Sequence, residues 1–545
     1  VSDPSRHGGP PGSAGSELSR LWPTLPARKR LDALIDQTDA RRAVRATPIA
    51  PLYYTLREVG LADSTEIVQL ASPEQFRGFI DLGGWKRDRV VPHDVLTWLR
   101  AARGDDTTEF LDKLHGIDLE VLELLLRHYV SVHDLEEDPD VHPAGLTLET
   151  PEGKYLLEIH AEGVDAPALR QILQDLIGEN PFESVRLIEA IRWEIPSELE
   201  ETAYQFRSGR LNDLGFPSLD DAAALFSRVD LAEPPPGSSA LVAERRTIDF
   251  VSAALDGLSD LERGNAEEEV VGLANAVLVA EVADPGDLES VRRAQEMARD
   301  YLNLGFERLT GGDPVRAPEL LRETPLRRIF QVGFTLTLRL KYRADRLAKD
   351  PSARAGGIPL VLDDEWAALS ALRRKRPLRA LRTPGAEPVS FRSGRELAES
   401  DAVVARAETQ VPILRAALGG TDAAIGEAVQ RCLDPSLPTT AERLLAAAVA
   451  WSLLGEPRVA PIPGAKLSDL AARITEGTAE APRVKAAAAE AAAAALGARL
   501  SEAEHGPLRS MIERVLGRLV SEVGGSYLRD GTVRPESVME LPLQV

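Results

Sequence analysis

Hydrophobic positions recur at helical spacing along most of the chain. From Arg28, "ARKRLDALIDQ" sets Leu31, Leu34 and Ile35 on one face of a helix. The same period returns in "PIAPLYYTLREVG", "DSTEIVQLAS", "SPEQFRGFIDL", "PHDVLTWLRAARG" and "DLEVLELLLRHYVSV". Each run lasts roughly two to four turns and stops at Gly, Pro or a capping residue. Trains of such short helices predict superhelical or irregular bundles. Alternation takes over convincingly in one place, "LTLETPEGKYLLEI" from Leu146, where "PEG" would turn a small β-hairpin near residues 146–160. The expected fold is mainly α and multi-domain, with that one hairpin.

Interruptions in the pattern suggest boundaries. Residues 1–27 are rich in Gly, Pro and Ser, lack an apolar core of the secretory kind, and read as a disordered tail. A helical domain follows over 28–230. "LAEPPPGSSA" opens a linker at 231–243, ahead of a second helical domain at 244–350. There "DPGD" joins two long helices as a turn with an N-cap. Residues 351–395 form a Pro- and Gly-rich basic connector with one short helix, and 396–545 a C-terminal helical domain. Residues 59–72 and 214–227 echo each other. Gly60 and Gly215 can each close a helix in the left-handed conformation, and an N-cap with an acidic residue three positions on would open the next.

Composition narrows the chemistry. The 545 residues are 43% hydrophobic and 5% aromatic, and Cys432 is the only cysteine, so no internal disulfide or thiolate metal site can form. No stretch has the length and apolarity of a membrane span, and a cytoplasmic protein is expected. The formal net charge is −22, which disfavours wrapping nucleic acid with the whole surface. Between Arg316 and Arg415, however, 20 Lys and Arg stand against 12 Asp and Glu. The clearest concentration joins Arg327, Arg328, Arg339, Lys341, Arg343 and Arg346 to "LRRKRPLRALR", which supplies Arg373, Arg374, Lys375, Arg376, Arg379 and Arg382. This band suits an anionic partner, or serves as counter-surface to the acidic remainder.

Two other polar clusters invite chemistry. "IPSELEETAYQFRSGRLNDLGF" brings Glu200, Glu201, Tyr204, Arg207, Arg210 and Asp213 within a few turns. Ser197 with Glu200 has capping-box spacing, and Arg210 with Asp213 the spacing of an intrahelical pair. A capped helix is the simpler reading, and an acid–base site the alternative. "SVHDLEEDPDVHP" collects His133, Asp134, Glu136, Glu137, Asp138, Asp140 and His142, yet lacks the His spacing of a metal helix and reads as a solvated loop. No phosphate-binding glycine loop, nucleophile elbow or cofactor fingerprint occurs. Asn275 and Asn303 interrupt apolar faces of adjacent helices and would fix their register.

Through "ELEETAYQFRSGRLNDLGF", "LANAVLVAE", "YLNLGFERL", "IFQVGFTLTLRL" and "RKRPL", the chain resembles an uncharacterised bacterial family of unknown function over about residues 30–400. That resemblance implies no catalytic residue, metal or cofactor. Residues 30–130 also look like the superhelical cytosolic domains of magnesium transporters and flagellar motor switch proteins, which would imply a helical interaction platform. Together these features lead to an expected non-catalytic scaffold or adaptor that binds another protein through the basic band. The alternatives are an enzyme centred on residues 200–213, and a binder of nucleic acid or anionic membrane surface through the band.

Overall fold

The computed structural model describes residues 25–231, 248–381, 383, 385–434 and 436–544. Most of the expected tail and of the 231–243 linker, as well as Arg382, lie outside the described residues. The fold is mainly α, with small sheets of two or three strands. The chain divides into two compact units that interleave in sequence. One comprises residues up to Phe226 with Gly264–Ala298, and the other Ser227–Arg263 with Arg299–Val545.

The first unit begins with the anticipated train of short helices. Helix Pro73–Gly83 shows why they are well defined. Pro73 sits in its first turn, and Ser72 and Gln75 form a reciprocal capping box. The Gln75 amide also donates to the carbonyls of Val44 and Thr47, both at 2.8 Å, so one side chain caps a helix and ties down an earlier one. Tyr53, Phe76, Phe79 and Trp98 fill the core, with Tyr53 stacked on Trp98 at 5.7 Å between ring centroids.

The β prediction is correct at the hairpin and incomplete around it. Leu146–Glu149 pairs antiparallel with Tyr155–Ile159, but Val130–Asp134 pairs with the other edge of that strand. The run expected to stay helical through Val132 ends at Tyr129. "VSV" then follows as an extended β-branched segment that can bury Val130 against the sheet. Short pairs at 85–86 with 89–90, 354–355 with 358–359, 475–478 with 481–484, and 462–463 with 543–544 were not anticipated. Strands of two to four residues carry almost no alternation.

In the second unit, helix Leu326–Lys349 crosses the end of helix Leu288–Thr310 at backbone contact. A methyl group on Gly333 would lie 1.9 Å from the Tyr301 carbonyl oxygen, and one on Gly305 would lie 2.0 Å from that of Ile329. Two glycines therefore set the crossing distance, with Tyr301 and Phe330 packed edge to face beside them. Further along, Ala441–Trp451 is buried on every side of its helix, and the long helix Glu502–Asp530 packs into the same core. Small side chains allow this all-round burial.

Candidate functional site

The stretch that concentrated polar residues in the sequence separates into two groups. Helix Pro196–Asp213 has Ile195 as its N-cap residue and no side-chain cap, so the Ser197–Glu200 capping box does not form. Pro196 starts the helix two residues earlier than that box requires, and its fixed φ favours the first helical position. Glu201, Tyr204 and Asp213 face solvent and Glu200 is half-exposed. Arg207 is buried at 3% exposure, and Arg210 is half-buried. The six residues thus do not assemble into one acid–base constellation.

Arg207 and Arg210 instead reach across the first unit. Arg210 forks onto Asp81, with Nε and Nη2 donating at 2.6 and 2.8 Å, and its Nη1 donates to Asp118 at 3.0 Å. The pairing with Asp213 expected from helical spacing is replaced by these two carboxylates. Arg207 donates to the carbonyl oxygens of Asp81 and Arg87 and lies over the Trp85 ring, 4.9 Å from its centroid. Burial pushes the Asp81 carboxyl above its ordinary value, against the pull of Arg210. The two carboxylates hold Arg210 more firmly charged than usual, whereas burial lowers Arg207. With a bidentate arginine on it, Asp81 is an ionised structural anchor. Asp81 and Asp118 were absent from the sequence reading.

The acidic loop also resolves into pairs. Arg192 bridges Asp134 and Glu137 at 2.9 and 3.0 Å, and His133 bonds Glu158 at 3.1 Å. Among the described residues no group of three or more His, Cys, Asp or Glu is arranged to hold a metal ion. Asn275 and Asn303 do not act as a register pair. The Asn275 amide donates to the Gly215 carbonyl, and Asn303 accepts from the Val251 N–H.

The basic band is partly neutralised within the second unit. Arg343 pairs with Asp401 at 2.6 Å and with Glu408, Arg373 with Asp345 at 3.0 Å, and Arg379 with Glu396 at 2.9 Å. Lys341 donates to the carbonyls of Arg373 and Arg374. Arg376 is half-buried over Phe334. Arg343, Arg373 and Arg376 therefore do not form, with Arg339, one freely exposed positive face. Arg327, Arg328, Arg339, Arg346, Arg374 and Lys375 remain exposed.

A run of exposed aromatics is the feature composition concealed. Of the five exposed aromatic side chains among the described residues, four fall between residues 182 and 206: Phe182, Trp193, Tyr204 and Phe206, with Ile195 exposed beside them in sequence. Phe182 is 87% and Trp193 70% exposed, in a protein otherwise sparing of aromatics. Helix Pro181–Trp193 is held at its end by Arg127, which donates to the carbonyls of Ile191 and Glu194. Exposed Glu183, Glu194, Glu198 and Glu201 accompany the aromatics.

The chain belongs to a family of unknown function (DUF6178), which matches residues 14–543. This is more of the chain than the resemblance covered, and it includes the C-terminal helices. No curated protein and no solved structure matches it. The likeness of residues 30–130 to magnesium transporters and flagellar motor switch proteins is not shown by these matches. No helix among the described residues is long and apolar enough to cross a membrane.

Proposed function

We propose that this chain is a non-catalytic scaffold or adaptor that binds another protein, and that the exposed aromatics at residues 182–206 are its principal docking residues. The observation carrying this reading is the concentration of exposed Phe, Trp and Tyr on one pair of consecutive helices. Rigid aromatic side chains supply large contact area at small entropic expense and dominate binding energy at protein interfaces. The glutamates along the same helices favour a partner with an apolar centre and a basic rim. The basic band is the second candidate surface, through Arg327, Arg339 and Arg346.

Crosslinking mass spectrometry on the full chain in native lysate tests the proposal. The expected result is a reproducible protein partner crosslinked near residues 180–210. It is lost when Phe182, Trp193 and Phe206 are changed together to Ser, and kept when Arg327, Arg339 and Arg346 are changed to Ser. A partner lost only in the arginine variant would transfer the role to the band. Nuclease-sensitive recovery of nucleic acid, or capture of anionic vesicles, would replace the scaffold reading with the alternative function of that band.

A further inference from the structure

Helix Pro181–Trp193 presents one ordered stripe to solvent. Phe182, Arg186, Glu189 and Trp193 recur at spacings of four, three and four residues. At 3.6 residues per turn this sets them on one face, in a stripe about 60° wide. Ser184, Leu187, Ile188 and Ile191 fill the opposite face, where the helix packs against Leu119–Tyr129 and Asp165–Glu179. On the stripe itself Phe182, Arg186 and Trp193 are exposed and Glu189 is half-buried. The two aromatic rings stand at its ends, about 16 Å apart along the helix axis.

The stripe is held in shape. The Trp193 indole N–H donates to Glu189 at 3.2 Å, and the Arg192 guanidinium lies 5.1 Å from the ring centroid. A solvent-facing tryptophan fixed in this way has little rotamer freedom left to lose, which is what makes an aromatic side chain an effective anchor. Glu189 also accepts from the Tyr155 hydroxyl and from Lys154. These donors, Tyr155 foremost, hold its carboxyl below the ordinary value, so it presents a full negative charge. Arg186 differs. Glu189 stands three positions on, within intrahelical reach, yet Arg186 makes no hydrogen bond or ion pair among the described residues.

The order aromatic, Arg, Glu, aromatic is its own complement when reversed. A second such helix laid antiparallel, with the two-fold axis between Leu187 and Ile188, brings Phe182 opposite Trp193 of the other copy and Arg186 opposite its Glu189. Each contact then occurs twice. From this self-complementarity we infer that helix Pro181–Trp193 pairs with the same helix of a second copy of this chain, antiparallel about a two-fold axis. The inference rests on the docking role proposed above for Phe182 and Trp193, and it names the partner. Arg186 supplies the basic group that the neighbouring glutamates call for, so one chain carries both halves of the interface. A parallel pair would set Arg186 against Arg186 and Glu189 against Glu189, which like-charge repulsion opposes. Four side chains per copy make an interface at the small end of the range, so association is weak and reversible, with Kd at or above about 1 µM.

Sedimentation velocity on the full chain, from about 1 to about 300 µM, tests the inference. The expected result is a concentration-dependent rise toward twice the monomer mass. Phe182→Ser with Trp193→Ser should weaken association more than about tenfold. Arg186→Glu places a glutamate against Glu189 of the other copy at both contacts and should weaken it about as much, while Arg186→Lys should keep most of it. Direction is read by replacing Phe182 with benzoylphenylalanine and irradiating a mixture of isotopically light and heavy chains. Mixed crosslinks are expected to end near Trp193. Mixed crosslinks ending near Phe182 would overturn the antiparallel pair. So would a mass that stays monomeric at the highest concentration, or association unchanged in Arg186→Glu and in the double Ser variant, each with native circular dichroism. A monomeric chain that still captures a different protein through residues 180–210 would overturn self-pairing alone and leave the docking role standing.

Discussion

Both units bury carboxylates, and they treat them differently. In the first, Asp81 is gripped at both oxygens by Arg210, which also holds Asp118. In the second, Glu442 is 1% exposed and receives the Asp363 N–H at 2.8 Å on one oxygen. Its other oxygen lies 3.1 Å from Arg518 without a hydrogen bond reaching it among the described residues. Nearby Glu365 is better served, taking both Arg514 amino groups at 2.7 and 3.1 Å. Burial alone thus does not set the fate of a carboxylate. What decides is whether a donor arrives along its lone pairs. Glu365, met in this way, is held below its ordinary value; Asp81 is still pushed up by burial against the pull of Arg210, and burial raises the Glu442 carboxyl to about 7.

The sharpest way to break this contrast is to remove the arginine that serves two carboxylates. Arg210→Met leaves Asp81 and Asp118 close together without their shared cation, and should destabilise the first unit by about 3–5 kcal/mol. Hydrogen exchange read by mass spectrometry should show lost protection first in helices Pro73–Gly83 and Pro196–Asp213. Changing Asp81 to Leu in the same chain should recover part of the loss, since the stranded charge is gone. Undiminished protection in Arg210→Met would mean that the pair is ornamental.

The opposite expectation holds for Glu442. Between pH 4.5 and about 7 the folded chain keeps a proton on this residue that the unfolded chain has released. Stability therefore falls as pH rises through that window, by roughly 2–3 kcal/mol for this group. Glu442→Gln keeps an acceptor for the Asp363 N–H and removes the titration. The variant should match the wild type near pH 4.5 and unfold at higher temperature above about pH 7. Parallel stability–pH curves for the two proteins would show that Arg518 already satisfies Glu442.

The contrast also marks where the sequence was legible. Short amphipathic helices and the 146–159 hairpin depend on residues within a few positions of one another, and local pattern finds them, although the Ser197 capping box it suggested does not form. Arg207 and Arg210 stood out locally too, but the partner of Arg210 lies 129 residues away. Helical spacing offers Arg77 to Asp81, and tertiary burial selects Arg210 instead. The Gly305–Gly333 crossing is silent for a related reason. "YLNLGFERL" and "IFQVGFTLTLRL" show a glycine in each helix, yet only packing reveals that the two helices meet there.

Exposed aromatics were hidden by a different ambiguity: a phenylalanine at helical spacing is ordinarily counted as core. Phe182 and Phe206 sit on helices whose buried faces are supplied by other residues, Ser184, Leu187, Ile188 and Ile191 in one, Leu199, Ala203 and Arg207 in the other. Replacing a solvent-facing side chain disturbs neither face, so Phe182→Ser with Phe206→Ser should change stability by less than about 0.5 kcal/mol per site. That is the smallest effect expected here, and it separates surface from fold. Unfolding curves superimposable on wild type, together with loss of the crosslinked partner, would identify these rings as exposed for recognition. A clear loss of stability would instead place them in a packing role and remove them from the docking proposal.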